Sequence, residues 1–347
     1  MRVLHLVGSV ESDFMSELSR LYARDCLTSI GDPDRYETHV AYVAPDHRWR
    51  FVADLSPAAI AAAPPLTAAE AIARVVALSP DVMVPQMFDL PGMTSYRALF
   101  DLLGIPYVGN APETMALTAH KVRAKAVVAG AGVAVPTGEV VSAGDRPMLE
   151  PPAVVKPVDA DNSLGVTLVR DRTEFAQAVT EACSGGGEAL VEQYVELGRE
   201  VRCGILVRDG VLQCLPLEEY AVDPAVKPIR DQTDKLRRDA AGQLSLVAKD
   251  STRAWIVDRD DPACPAVWEA ARRCHRALGC RHYSLFDFRV DPAGRPWFLE
   301  AGLYCSFAHQ SVLATMSAAA GLPVDGLFAV VLDNALGTSP RSDRSTP

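Results

Sequence analysis

The sequence predicts an α/β block followed by α+β structure. Through residue 112, strand-like and helix-like stretches alternate, which argues for a parallel sheet with helices on both faces. Beyond it the texture changes to short β-branched strands, polar turns and a hairpin signal. These shifts place boundaries at 1–112, 113–195 and 196–336, with 337–347 as a Ser/Pro/Arg-rich tail expected to be disordered.

In the first block, residues 1–8 read as a strand and 11–30 as a helix ending before Gly31-Asp-Pro. Residues 37–44 alternate as a second strand. Residues 67–77 form a helix, with Thr67 and Glu70 spaced as a capping box. Residues 81–84 are a buried strand, 94–103 a helix stopped by Gly104, and 105–108 a further strand.

A single helix is expected over Thr114–Gly130, then strands at 153–156 and 165–169 around a polar loop. A helix at 174–182 and strands at 189–194, 201–207 and 211–217 follow, the last two joined by Arg208-Asp-Gly210. A helix at 265–278, paired strands at 283–290 and 296–301, and a helix near 310–320 close the chain.

With 49% hydrophobic and 22% charged residues, the chain has the balance of a globular protein and not of a disordered one. Its 34 Lys+Arg against 44 Asp+Glu give a net charge of −10, which argues against a general nucleic-acid groove. A small anion in a local basic pocket stays open. No window has the apolar length of a membrane span and the start does not read as a leader, so a cytoplasmic location is expected. The eight cysteines are scattered without a Cys-x-x-Cys pair, which argues against a disulfide framework. Cys274, His275, Cys280 and His282 fit buried packing better than zinc, because adjacent helical residues point different ways.

Two features carry chemistry. Lys156 ends a strand, and residues 159–165 form a small, polar loop that lets backbone N–H groups approach an anion; a plain hairpin loop has the same composition. Asp287 and Glu300 lie on strands joined by a short turn. Two neighbouring carboxylates in apolar surroundings require a cation, and Mg²⁺ suits such oxygen ligands with substrate phosphates. Pairing of Asp287 with Arg289 or Arg295 is the alternative.

Together the motifs resemble the ATP-grasp superfamily, and within it the D-alanine–D-alanine ligases. The similar segments are Leu102–Asn110, Thr118–Lys121 with Gly132–Pro136, Val155–Pro157 with Ser163–Val166, Val191–Tyr194 with Gly198–Glu200, Phe286–Arg289 and Phe298–Glu300. The resemblance implies an ATP-grasp fold, three subdomains with ATP held between two α+β blocks. It assigns Lys121 and Lys156 to ATP phosphates, the amides of Ser163 and Leu164 to covering them, and Glu192, Gln193, Tyr194 and Val195 to adenine. Glu200 would take ribose, Lys235 would reach the γ-phosphate from a lid, and Asp287 and Glu300 would hold one or two Mg²⁺ ions. Glu11 would hold a donor amine and Ser311 an acceptor carboxylate. A homodimer is implied as well, with small carboxylate and amine substrates and neither nucleic acid nor membrane as partner.

The departures fall on the substrate side. The family's Glu-x-Asn metal motif ends here in Gly302, and its arginine two residues before the metal aspartate is Leu285. Loss of such an oxyanion donor costs about 3–4 kcal/mol. Asn162 and Leu236 replace a serine and a tyrosine, Phe88 a histidine, and Cys305-Ser306 a Pro-Gly. Phe88, Asn162, Leu285, Gly302, Tyr304 and Cys305 therefore mark the substrate pocket, with Lys156, Lys235, Ser306 and His309 as candidate catalytic groups. The expected reaction is ATP-dependent joining of a carboxylate and an amine in specialised metabolism. Ring closure or phosphorylation without ligation, and a nucleotide-binding pseudoenzyme, are the alternatives.

Overall fold

The computed structural model describes residues 1–160, 165–223, 228–229, 236–238, 244–246 and 252–337. Lys235, Asn162, Ser163, Leu164 and the tail from residue 338 lie outside the described residues.

The first block contains β1 (Arg2–Gly8), α1 (Asp13–Ile30), β2 (Glu37–Val43), β3 (Trp49–Val52), α2 (Pro57–Ala62), α3 (Ala68–Leu78), β4 (Val82–Pro85), α4 (Leu90–Met93) and α5 (Ser95–Leu102). Its sheet has the order β3-β2-β1-β4. β1 runs parallel to β2 and β4, while β3 is an antiparallel edge that the sequence reading omitted. Side chains alternate across the sheet. Leu4, Leu6 and Met83 join a core with Ala71, Val75 and Phe100. Val3, Val82 and Val84 face Cys26, Ile30 and Phe328 on the other side. The capping box at Thr67 and Glu70 is complete.

Residues 105–108 form no strand. Tyr107 makes only an isolated parallel bridge to Met83, because Pro106 contributes a carbonyl and no N–H. The helix expected over Thr114–Gly130 is two helices, α6 (Pro112–Ala119) and α7 (Lys121–Gly130). His120 between them is extended, and the Lys121 N–H bonds Val158 O at 2.8 Å instead of continuing a helix.

A small antiparallel sheet, β5-β8-β6-β7, is made of β5 (Gly138–Val141), β6 (Ala153–Pro157), β7 (Thr167–Val169) and β8 (Ala189–Gln193), packed on α8 (Phe175–Ala182). The remaining elements are β9 (Arg199–Arg208), β10 (Val211–Cys214), β11 (Glu218–Tyr220), β12 (Leu236–Arg238), β13 (Leu244–Leu246), β14 (Ala254–Ile256), α9 (Cys264–Ala277), β15 (Tyr283–Val290), β16 (Pro296–Ala301), α10 (Val312–Ala319) and α11 (Val324–Gly337). The large sheet is ordered β14-β11-β9-β15-β16, with β10 also on β9, and β12 pairs β13 separately. Asp209 and Gly210 at φ +53° and +74° make the predicted hairpin turn.

Two packing facts place the site. Met115, Ala124 and Val128 of α6 and α7 enter the core of the large sheet with Val201, Phe286 and Phe288, although sequence grouped them with residues 113–195. Helix α11, which the sequence reading omitted, packs Phe328 and Val331 against β1 and β4, fastening the C-terminal end to the first sheet. Among the described residues, no single helix is long and apolar enough to cross a membrane.

Buried neutral histidines make this packing acid-sensitive. Burial pulls His5 and His275 down to about 4 and His282 to about 3. Their folded values lie below the unfolded value near 6.5, so as pH falls from there toward 4 the unfolded chain takes up protons that the folded chain refuses. Stability present above pH 6.5 is lost through that window, with a slope approaching 4 kcal/mol per pH unit for about three protons. Urea midpoints measured from pH 7.5 to 4.5 should fall steadily; a flat profile would exclude neutral buried imidazoles.

Candidate active site

The small and large sheets face each other across a solvent-open cleft. Lys156, Glu192 and Gln193 line it from the small sheet, and Glu200, Asp287 and Glu300 from the large one. Lys121, at the start of α7, and Val195 also line it.

At the floor, Glu192 is buried between two lysines. Its Oε1 lies 2.6 Å from Lys125 Nζ and its Oε2 lies 2.6 Å from Lys156 Nζ. Lys125 Nζ also donates to Phe298 O at 3.2 Å. Burial acts to raise the Glu192 carboxyl, but Lys125 and Lys156 outweigh it and hold the group below its ordinary value. Burial, only partly offset by Glu192, pulls Lys125 down to about 8. Sequence reading missed Lys125, although it follows Lys121 by one helical turn on the same face. The Lys121 ammonium donates to Ala160 O.

At the other end, Arg289 organises the segment after β8. Its Nη1 donates to Val195 O at 3.2 Å and its Nη2 to Glu200 at 2.7 Å, while the guanidinium sits 5.3 Å from the Tyr194 ring centroid. The Gln193 and Tyr194 N–H groups are held by Thr137 O and Pro152 O, at 2.8 and 3.1 Å. Arg289 therefore serves Glu200 and not Asp287.

Asp287 and Glu300 are register partners on β15 and β16, with a bulge beside them that brings Leu299 and Glu300 both to the cleft. The arginine on Asp287 is Arg202 of β9, which donates through Nε and Nη2. Gly302 donates its N–H to Leu285 O at 2.9 Å, and no described atom lies within 4 Å of where a Cβ would stand.

The substrate-side residues cluster outside the cleft lining. The φ of +109° at Gly8, and Val43 O only 1.9 Å from where a Cβ would be, require glycine at the end of β1. The chain then turns so that the Ser9 hydroxyl and the Val10 N–H both donate to Asp89. Glu11 accepts from Leu90 N at 3.3 Å, and burial together with Asp89 raises its carboxyl. Phe88 is buried between Tyr22 and Tyr304, each ring 5.5 Å away. Ser311 leads into α10, and its hydroxyl has no hydrogen-bond partner among the described residues.

Three candidates lie apart from this chemistry. Burial pushes the Cys305 thiol up to about 12, so it is a core group and not a thiolate. Ser306 is buried, its hydroxyl accepting from Ala308 N and its carbonyl from Gln86. His309 is exposed, with its N–H on Asp25 at 3.0 Å.

The cleft sets Lys156 of the small sheet with Lys121 and Lys125 of α7 opposite the paired carboxylates of the large sheet, and the backbone resembles solved ATP-grasp ligases. The VanG D-Ala:D-Ser ligase of Enterococcus faecalis matches with a TM-score of 0.78 at 21% identity, over 96% of this chain and 99% of that one. The D-alanine–D-alanine ligase of Bacillus anthracis complexed with ATP matches at 0.70 and 17%, over 98% of each chain. The family model for the D-ala D-ala ligase C-terminus matches residues 146–333. The D-alanine–D-alanine ligase of Oleidesulfovibrio alaskensis is 31% identical over 250 residues, covering 68% of this chain and 73% of that protein. The chain belongs to the D-alanine–D-alanine ligase family.

Replacing Glu192 by Gln leaves two buried ammonium groups without their shared counter-charge. Breaking such a pair costs about 3–5 kcal/mol. Glu192→Gln should lower the urea midpoint accordingly at pH 7. Raising the pH toward 9 should recover part of the loss, as Lys125 gives up its proton. An unchanged midpoint would remove the triad from the structural framework.

Proposed function

We propose that the chain is an ATP-dependent ligase that activates a carboxylate as an acyl phosphate and joins it to an amine, releasing ADP and phosphate. The observation that carries this is the cleft itself: a lysine–glutamate–lysine floor faces two register-paired carboxylates. Lys121, Lys156 and Lys235 are assigned to the phosphates, with the amides of Ser163 and Leu164, and Glu200 to the ribose. Residues 192–195 are assigned to adenine. The blocks 1–112, 113–195 and 196–336 would act as three bodies around the nucleotide.

Asp287 and Glu300 offer only hard oxygen donors, which fits Mg²⁺. When bound there, Mg²⁺ supplies positive charge to the phosphates. Lys156 holds the transferring phosphoryl group and neutralises the charge that develops on it. Glu11, beside the buried Asp89, is the acidic group suited to an ammonium. Ser311, at the head of α10, suits an acceptor carboxylate. Phe88 and Leu285 make the substrate side more apolar, so the pair differs from two D-alanines and the role lies in specialised metabolism. A homodimer is part of this reading.

An ADP-release screen over a grid of carboxylates and amines tests it. ADP and phosphate should require both partners, and D-alanine alone should be a poor substrate. AMP and pyrophosphate would refute the mechanism; a product from one substrate alone would favour ring closure. Lys156→Ala and Asp287→Asn should each abolish turnover without unfolding the protein.

The floor also predicts a pH effect. Lys125, pulled down to about 8, gives up its positive charge as the pH rises through that value. Affinity for a fluorescent ATP analogue should fall roughly tenfold between pH 7 and 9, the scale of one nearby charge. Lys125→Met should show no such step; a step that persists belongs to another group.

A further inference from the structure

Four strands of the large sheet present one row of charged side chains. Glu218 on β11 is in register with Arg202 on β9, Arg202 with Asp287 on β15, and Asp287 with Glu300 on β16. Arg202 is the one cation among these four, and its side chain is only 13% exposed. It meets Asp287 side-on, through Nε and Nη2, with the second distance 3.2 Å. A guanidinium has five N–H donors in a fixed fork. A side-on pair therefore leaves its end, both Nη1 donors and one of Nη2, directed away from Asp287. Nη1 makes no hydrogen bond among the described residues, whereas both ends of Arg289 are occupied around Val195, Glu200 and Pro228.

Arg202 has neighbours from both the nucleotide and the substrate side. On one side of Arg202 is Asp287, which lines the nucleotide cleft. The guanidinium lies 5.3 Å from the Tyr220 ring centroid, whose planar face fixes its tilt. On another side its charge reaches Tyr22, where burial raises the phenol and Arg202 opposes the rise. Tyr22 belongs to the aromatic group with Phe88 and Tyr304 that bounds the substrate side. Arg202 stands at the border between the two compartments. The position two residues before Asp287 offers no charge, since Leu285 is in register with Gly204.

We propose that Arg202 is a catalytic residue of the ligation step, the guanidinium end that has no partner among the described residues donating to the substrate oxygen that becomes negative when the amine adds to the acyl phosphate. The amine lone pair forms the C–N bond while the carbonyl π pair moves onto oxygen, opposite Arg202. Return of that pair re-forms C=O and breaks the bond to the phosphate oxygen. Phosphate leaves with the electrons, and the amine proton passes to it or to water. Arg202 stays protonated throughout and is held in place by Asp287 and Tyr220. This inference rests on the ligase reading above and deepens it by naming the group that acts after phosphoryl transfer.

Isotope scrambling in γ-¹⁸O-labelled ATP, with the carboxylate of the best pair from the grid and no amine, reports acyl phosphate formation alone. Arg202→Lys keeps a charge against Asp287 but loses the fork. It should melt near wild type, bind Mn²⁺ with ADP as wild type does, and scramble label within about threefold. Its kcat for ligation should fall about a hundredfold or more, the usual loss for one oxyanion donor. Arg202→Met should lose more in ligation, with Lys intermediate. Equal loss of scrambling, Mn²⁺ binding and ligation would make Arg202 a mere holder of Asp287 and overturn the proposal, as would unchanged ligation. Absence of scrambling and of ADP release in wild type across the grid would instead sink the ligase reading itself.

Discussion

Glu192 joins side chains from elements that otherwise belong to separate cores. Lys156 and Glu192 come from the small sheet, whereas Lys125 comes from α7, which packs into the large sheet. A buried carboxylate is costly unless it is paired, and a buried ammonium likewise. With one carboxylate shared by two lysines, neither sheet can move from the floor without exposing an uncompensated charge to a dry interior. The second partner of Lys125, Phe298 O, continues the link onto β16, the strand of Glu300. In the proposed ligase, the floor that holds the sheets together and the charge that a phosphate would meet are the same atoms. Its stability as a buried network is modest, and its geometric constraint is large.

On the other wall, order comes from strand register. Antiparallel pairing of β9, β15 and β16 puts every second side chain on the cleft side, so Glu200 with Arg289 and Arg202 with Asp287 form successive rungs. The opposite side of the same strands carries Val201, Cys203, Phe286 and Phe288, which fill the core with α6, α7 and α9. The apolar side fixes the register, since a slip by one residue would turn Phe286 to the cleft and Asp287 to the core. The position of each charge therefore depends on packing that the charge never touches.

Much of this was legible in the sequence, for identifiable reasons. Strands with clean alternation, such as 37–43 and 283–290, and the capping box at Thr67 announce themselves locally. The break at His120 does not, because it arises from a bond between Lys121 N and Val158 O, distant in sequence. The face of α7 buries Lys121 and Lys125 together with Ala124 and Val128, which hides its amphipathic pattern. The cleft residues Lys156, Glu192, Asp287 and Glu300 could be named because they sit in short, ordered motifs. Arg202 could not: it pairs with Asp287 across strands that are 85 residues apart, and no local motif marks it. Cys305 and Ser306 stand out as departures from the family pattern, yet their burial turns them toward the core.

The distribution of departures has a physical basis. Phosphoryl transfer gives a protein little covalent chemistry to perform, so its site reduces to fixed charges at fixed distances. Such a site tolerates little change, since each charge is both a ligand and a buried group whose partner depends on it. The compartment beyond Asp287 is different. There a wall of aromatic rings can replace polar side chains at modest cost, because apolar surfaces of suitable volume pack without directional demands. A guanidinium can likewise reach an oxygen from one strand or from its neighbour, since adjacent strands lie only about 5 Å apart. In the proposed ligation step Arg202 would use this freedom: it lies one strand over from Leu285 and two residues from its register partner Gly204, with its direction set by Asp287. Substrate identity can then drift while the nucleotide half of the site keeps its form.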